Sequence, residues 1–293
     1  MLRHSLRIIL YALAVSQLIA SCRGMHKGEA LQDSSAISQR PGGDPASTDS
    51  LTDSLDQDVL FAFTDSSGSY LVGATDSLAH GPYYLITPGG DSIELQYLGW
   101  RLERRQSTGR QTASNFQNTG GSLFFLKSRK LAPDQTYQVV SGRFLSTHRP
   151  LRLTRNDYPP IDSITNAGIS RSRGRAIQQS WKLGSIDGVG SLNVVLFEDK
   201  RRPLASLVLV RTEGFVFHDY PGDTSAEGSV WRVDDGGEFP GANINVIAAF
   251  QSSYGIELTT TWAGSEGESA EFLQQSSDRF VSVKEGYRYW VPN

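Results

Sequence analysis

The 293-residue chain contains a single cysteine, Cys22. One thiol cannot close an internal disulfide, so the crosslinked framework with which small secreted domains supplement a core is excluded. Lysine is scarce too, 6 against 22 arginines, so the cationic groups are mostly planar forks suited to carboxylate, sulfate and phosphate oxygens. No G-x-S-x-G elbow, H-E-x-x-H pair, phosphate-binding loop, dinucleotide glycine fingerprint or C-x-x-C pair occurs, which removes the chemistries those motifs signal. Histidine is sparse as well. Beyond the first 21 residues only His26, His80, His148 and His218 remain, far apart in sequence, and a histidine-rich metal site has no local support.

What is present begins at the amino terminus. Arg3 and Arg7 precede an apolar stretch from Ile8 to Ile19, followed by the small residues Ala20 and Ser21. Twelve residues give a helix of about 18 Å, short of the roughly 30 Å core of a bilayer. That is the layout of a secretory leader. Ile19, Ala20, Ser21 and Cys22 resemble the lipobox of bacterial lipoproteins, with Ile19 in place of the commoner leucine. The resemblance implies cleavage before Cys22, diacylglycerol on its sulfur and, in many bacteria, a further acyl chain such as palmitate on the new amino terminus. Two or more chains make a stable membrane anchor, since each buried CH₂ contributes about 0.8 kcal/mol. Arg23 stands where lipoproteins retained at the inner membrane usually carry aspartate, so the expected location is the outer membrane, lipid-anchored and facing the periplasm or the cell surface. The resemblance covers 22 residues and implies nothing about the folded part.

Residues 22–57 are rich in Ser, Asp, Gly and Gln and nearly devoid of aromatic and β-branched side chains, a composition that cannot bury enough surface to fold. TDSL recurs at 48–51, 52–55 and 75–78. Asp49, Asp53, Asp56 and Asp58 lack the alternating oxygens around a glycine that an EF-hand loop needs, so a solvated tether is expected, with a reach on the order of 30 Å.

The remaining chain reads as all-β: an antiparallel meander, sandwich or barrel-like fold with at most a short helix. Strand-like runs such as DVLFAFT (58–64), SIELQYLGW (92–100) and TYQVVSGRF (136–144) alternate with SSG and PGGD turns, where glycine supplies φ > 0 without steric cost. LNVVLF, LASLVLV and FVFHDY, separated by EDKRRP and RTEG, form the clearest meander. LASLVLV has little polar alternation, as in a strand covered on both faces. RFVSV and YRYWV are expected to flank a KEG turn, and ESAEFLQQSSD (268–278) alone has helix-like spacing. Residues 161–176, poor in large apolar side chains, are expected to link β-rich domains at 58–160 and 177–293, though one continuous β domain fits as well.

Charge is unevenly placed. Residues 101–202 hold 18 basic and 7 acidic side chains, a balance of +11, between blocks of −8 on either side. Arg171, Arg173 and Arg175 in RSRGR would share one face if extended. They could bind an acidic glycan, a lipopolysaccharide phosphate or an acidic protein; alternatively the basic middle packs beside the acidic flanks and RSRGR is a solvated linker. Nucleic acid is not expected as a partner, because no recognisable reading motif is present and an exported protein rarely meets it.

Asp234, Asp235 and Glu238 in RVDDGGEFPG could ligate Ca²⁺ through hard oxygens or supply a carboxylate pair for glycan hydrolysis. The same residues make a good turn, because Asp and Gly tolerate its backbone angles. His218 beside Asp219 is expected to be an exposed strand-end histidine, the two pointing to opposite faces. With no assigned catalytic residue and no cofactor beyond that calcium option, the sequence favours a membrane-anchored binding or structural protein holding an envelope polysaccharide or protein partner. An envelope glycan hydrolase is the alternative.

Overall fold

The computed structural model describes residues 55–73, 78, 81–198, 201–225, 230–232 and 235–290. The leader, Cys22, nearly all of the expected tether and Asp234 lie outside the described residues. The fold is all-β, and all its strands lie in one compact unit. The first six, β1 (Val59–Thr64), β2 (Tyr70–Gly73), β3 (Tyr83–Ile86), β4 (Ser92–Arg101), β5 (Gly121–Phe125) and β6 (Thr136–Ser141), close a barrel in the order β1-β2-β5-β4-β3-β6. Leu60, Ala62, Leu71, Leu85, Leu95, Phe124 and Val139 fill its interior.

The other ten strands form one sheet. They are β7 (Arg149–Pro150), β8 (Leu153–Arg155), β9 (Ile177–Ile186), β10 (Gly190–Phe197), β11 (Leu204–Arg211), β12 (Gly214–Pro221), β13 (Ile244–Ser252), β14 (Gly255–Ala263), β15 (Gly267–Ser276) and β16 (Arg279–Tyr289). Their order is β7-β13-β14-β15-β16-β12-β11-β10-β9-β8. β7 and β8 stand at opposite ends of the sheet, yet only Leu151 and Arg152 separate them in the chain. That connection forces the sheet to curl until its ends meet. Leu192, Val194, Leu207, Leu258 and Leu273 pack inside the curl with Leu151 and Leu153. Alternate residues Val195, Phe197, Val208 and Phe217 face outward. LASLVLV is covered on both sides for this reason.

What covers part of that outward face is the segment expected to be a linker. Residues Ser163–Arg173 form a helix, labelled α2 after the single turn α1 (Gly142–Leu145). Asp162 accepts hydrogen bonds from the Ile164 and Thr165 N–H groups at its start, and Gly174 at φ 61° ends it. Its buried Ile169 packs, with neighbouring Ile161, among Val195, Phe197, Val208 and Phe217. One narrow stripe of contact explains why so few large apolar residues sufficed. The change from first to second sheet falls earlier, between β6 and β7, because β7 and β8 already pair with the second sheet.

Two other expectations are corrected. Residues 268–278 are not helical: Gly267–Ser276 is strand β15, with Phe272 on the outward face and Leu273 inside. A register shift between those two residues disturbs the alternation and mimics a helical spacing. KEG is not a turn either, since β16 runs unbroken from Arg279 to Tyr289.

The barrel packs against the outward face of the curled sheet. Val59, Ile86, Val140 and Phe144 meet Ala248, Phe250 and Phe272 there. Polar groups cross the same seam, with Thr259 Oγ1 donating to Gln138 Oε1 at 2.8 Å. No helix among the described residues is long and apolar enough to cross a membrane.

Candidate functional site

The three arginines of RSRGR do not converge on a shared site. Arg171 and Arg173 occupy the last turn of α2 and Arg175 follows its cap. Arg173 pairs with Asp219, and its guanidinium carbon lies 4.6 Å from the centre of the Phe217 ring. Asp219 also accepts from Ser206 Oγ at 2.6 Å. Arg175 donates to the Arg202 carbonyl at 2.7 Å and lies 5.8 Å from the Phe197 ring. These two clamp the end of α2 to β10–β12, and Arg171 points to solvent with no partner among the described residues.

In the acidic loop, the Asp235 carboxylate accepts from four backbone N–H groups, those of Val230, Trp231, Arg232 and Gly237. Burial pushes its pKa up, but the four donors outweigh that and hold it below the ordinary value. Gly236 and Gly237, at φ 62° and 79°, complete the turn. The arrangement keeps Asp235 ionised and occupied, which suits a loop-former and not a proton donor. Glu238 is exposed beside it. Among the described residues no group of three or more His, Cys, Asp or Glu side chains is placed to hold a metal ion.

A cleft that combines apolar and polar walls lies where barrel and curled sheet meet. Its volume is about 370 Å³, and it is walled by Val59, Phe61 and Phe63 of β1 and by Ala270, Gly286 and Arg288 of β15 and β16. Gly286 is needed for the contact that shapes it: a methyl group there would lie 2.4 Å from the Phe61 ring. At one end Arg288 Nε donates to Thr136 Oγ1 at 3.0 Å, and its Nη2 donates to the Asp134 carbonyl at 2.9 Å and Glu268 at 3.3 Å. The long loop between β4 and β5 closes this end, with Gln111 N donating to the Tyr289 carbonyl at 2.8 Å. At the other end Lys284 pairs with Asp56 at 2.9 Å. The cleft thus joins an apolar wall to charged rims of both signs. None of these residues forms a local motif, because they converge from β1, β6, the β4–β5 loop, β15 and β16.

Two histidines face carboxylates, and neither lines the cleft. Nε2 of His148 is 3.3 Å from Glu257, and Nε2 of His218 is 3.5 Å from Glu271. His218 is not the exposed strand-end residue expected: its side chain is 12% accessible and sits edge-on to Tyr220, 4.8 Å between ring centres. Asp219 points to the opposite face, toward Arg173. For both histidines burial lowers the pKa, and the neighbouring carboxylate reverses that to a net rise. Burial also drives the Tyr220 hydroxyl far above the usual phenol range.

No protein-family model, no curated protein and no solved structure matches this chain.

Proposed function

We propose that the chain is a lipid-anchored binding protein of the bacterial cell envelope, held at the outer membrane through Cys22, with the cleft between barrel and curled sheet as its ligand site. The observation that carries the binding reading is the cleft itself: an apolar wall beside hydrogen-bonding and charged groups at a junction of two β units, the usual setting of small-molecule and oligomer sites. The mixture suits a short stretch of envelope polysaccharide. A sugar ring presents an apolar face to Phe61, while its hydroxyls meet Gln111, Thr136 and Lys284.

The test uses the whole chain and a cleft-filling variant, Ala270→Trp, on purified cell-wall sacculi and a glycan array. Ala270 borders the cleft, so an indole there occupies the space a sugar would take. Binding by the native chain that disappears in the variant supports the reading. Equal binding by both, or none by either, defeats the assignment of the ligand site. The anchor is checked separately, by fatty-acid labelling that Cys22→Ala abolishes.

A further inference from the structure

Strand β4 outruns its neighbour β3. Tyr83, the first residue of β3, pairs with Leu95, so residues 96–101 of β4 project past β3 and, apart from the bulged Leu98, pair with β5 alone. A register shift between Tyr97 and Gly99, with Gly99 at φ 110°, bends the strand in this half. Four apolar side chains stand in water along it: Tyr97 is 43% exposed, Leu98 44%, Trp100 46% and Leu102 77%. A single exposed leucine needs no explanation, but four such groups within six residues of one projecting edge do.

The chain then presents cations. Arg104, Arg105 and Arg110 are all exposed, and none of the three guanidinium groups has a hydrogen bond or ion pair among the described residues. Residues 101–110 contain four arginines against the single acid Glu103, a local balance of +3 on a chain whose net charge is −3. This loop is fixed by its own bonds. Arg101 donates to the Phe116 and Thr119 carbonyls and lies 4.8 Å from the centre of the Phe116 ring. Asn115 Nδ2 donates to the Arg110 carbonyl at 2.7 Å, and Arg104 N to the Asn118 carbonyl at 2.9 Å. The apolar and cationic groups are therefore displayed by a pre-ordered loop, and binding costs little further ordering.

We infer that this edge, Tyr97 to Arg110, docks on an anionic lipid bilayer. Trp100 and Leu102 enter the boundary between headgroups and acyl chains, and Arg104, Arg105 and Arg110 meet lipid phosphates. Indole and phenol rings favour that boundary, and arginine stems cover apolar surface while their heads stay with the phosphates. Each basic group near an anionic surface adds about 1 kcal/mol, which favours this edge over the rest of a net acidic chain. The inference deepens the membrane-anchored reading above and rests on it: docking of this edge would fix how the folded part is oriented on the bilayer.

The experiment reconstitutes the full chain in phosphatidylglycerol vesicles whose acyl chains carry bromine, and follows quenching of tryptophan fluorescence. Quenching is measured in a Trp290→Phe background, because Gln111 N of the β4–β5 loop donates to the Tyr289 carbonyl and places Trp290 beside the same edge. In that background it is expected to fall sharply on Trp100→Phe, the other three tryptophans lying on β9, on β14 and before β13. It should also fall when Arg104, Arg105 and Arg110 are all changed to Gln, and be weak on phosphatidylcholine alone. Absence of quenching in that background, or quenching that Trp100→Phe leaves unchanged, overturns the inference. So does photocrosslinking from position 100 to a protein and not to lipid in whole cells. Fatty-acid label on Cys22 without quenching would sink the docking edge and leave the anchor standing, whereas quenching of an unlabelled chain would do the reverse.

Discussion

Glu257 is wholly buried, and its Oε2 lies 3.3 Å from Nε2 of His148. Oε1 of the same carboxylate accepts from Gln274 Nε2 at 2.9 Å. Oε2 makes no well-aligned hydrogen bond and faces the imidazole of His148. His148 is itself held in place, its ring stacked 3.8 Å from that of Phe144 and its Nδ1 2.9 Å from the Phe144 carbonyl.

That pair sets the sign of a pH effect. The folded pKa of His148 is raised, so its contribution to stability is fully present below the unfolded value of about 6.5 and is lost as pH rises through the folded value. His218, raised for the same reason by Glu271, adds in the same direction. Urea unfolding from pH 5 to 9 should show stability falling through this window, with the fall reduced in His148→Gln. At pH 6 the same variant should cost about 3 kcal/mol, the order expected when a buried ion pair loses one partner. An unchanged pH profile in the variant would remove His148 from this role.

Contact between Phe61 and Gly286 makes a second prediction. A methyl group at Gly286 would lie 2.4 Å from the ring, so Gly286→Ala must displace Phe61 from the cleft wall. Overpacking of this kind costs about 1–3 kcal/mol. Denaturant titration should show the loss, and Phe61→Leu in the same chain should recover part of it by vacating the space. Additive losses in the double variant would mean that the two residues do not share this contact.

Strand runs such as LNVVLF, LASLVLV and FVFHDY were legible in the sequence because β-branched residues and period-two burial are local properties. Curling of the second sheet was not legible, because it depends on β7 and β8 being too few residues apart to lie at the ends of a flat sheet. The helix at 163–173 was hidden for a related reason: Ile169 alone supplies its buried contact, and the signals of its ends, Asp162 and Gly174, are as common in loops. The cleft left no trace, since Phe61, Thr136, Ala270 and Arg288 meet only through tertiary packing. The arginine cluster was visible as composition, but its meaning depended on Asp219 and on carbonyl groups distant in the chain.

Arg173 and Arg171 should separate cleanly as substitutions. Arg173 holds Asp219 and lies over Phe217, so Arg173→Ala should loosen α2 by about 1 kcal/mol, a modest figure because Asp219 is 41% accessible and the pair is screened. Hydrogen exchange of the amides in residues 163–173 should accelerate several-fold, with the sheet amides unchanged. Arg171→Ala should leave the exchange pattern as it is. Equal acceleration by both would mean that helix propensity, and not the clamp, fixes α2.

Asp235 offers the sharpest choice between a turn and a cation site. Its carboxylate accepts four backbone N–H groups, and Asp235→Ala strips the acceptor from all four at once. Partly buried donors left unpaired cost about 1–3 kcal/mol in sum after water replaces some of the bonds. Glu238 is exposed, so Glu238→Ala should change stability by less than about 0.5 kcal/mol. Thermal unfolding with and without millimolar calcium should show the Asp235→Ala loss unchanged by the ion, because a carboxylate saturated by amide donors has few lone pairs left to offer. A calcium-induced rise in the native melting temperature that both variants abolish would instead make this loop a metal site.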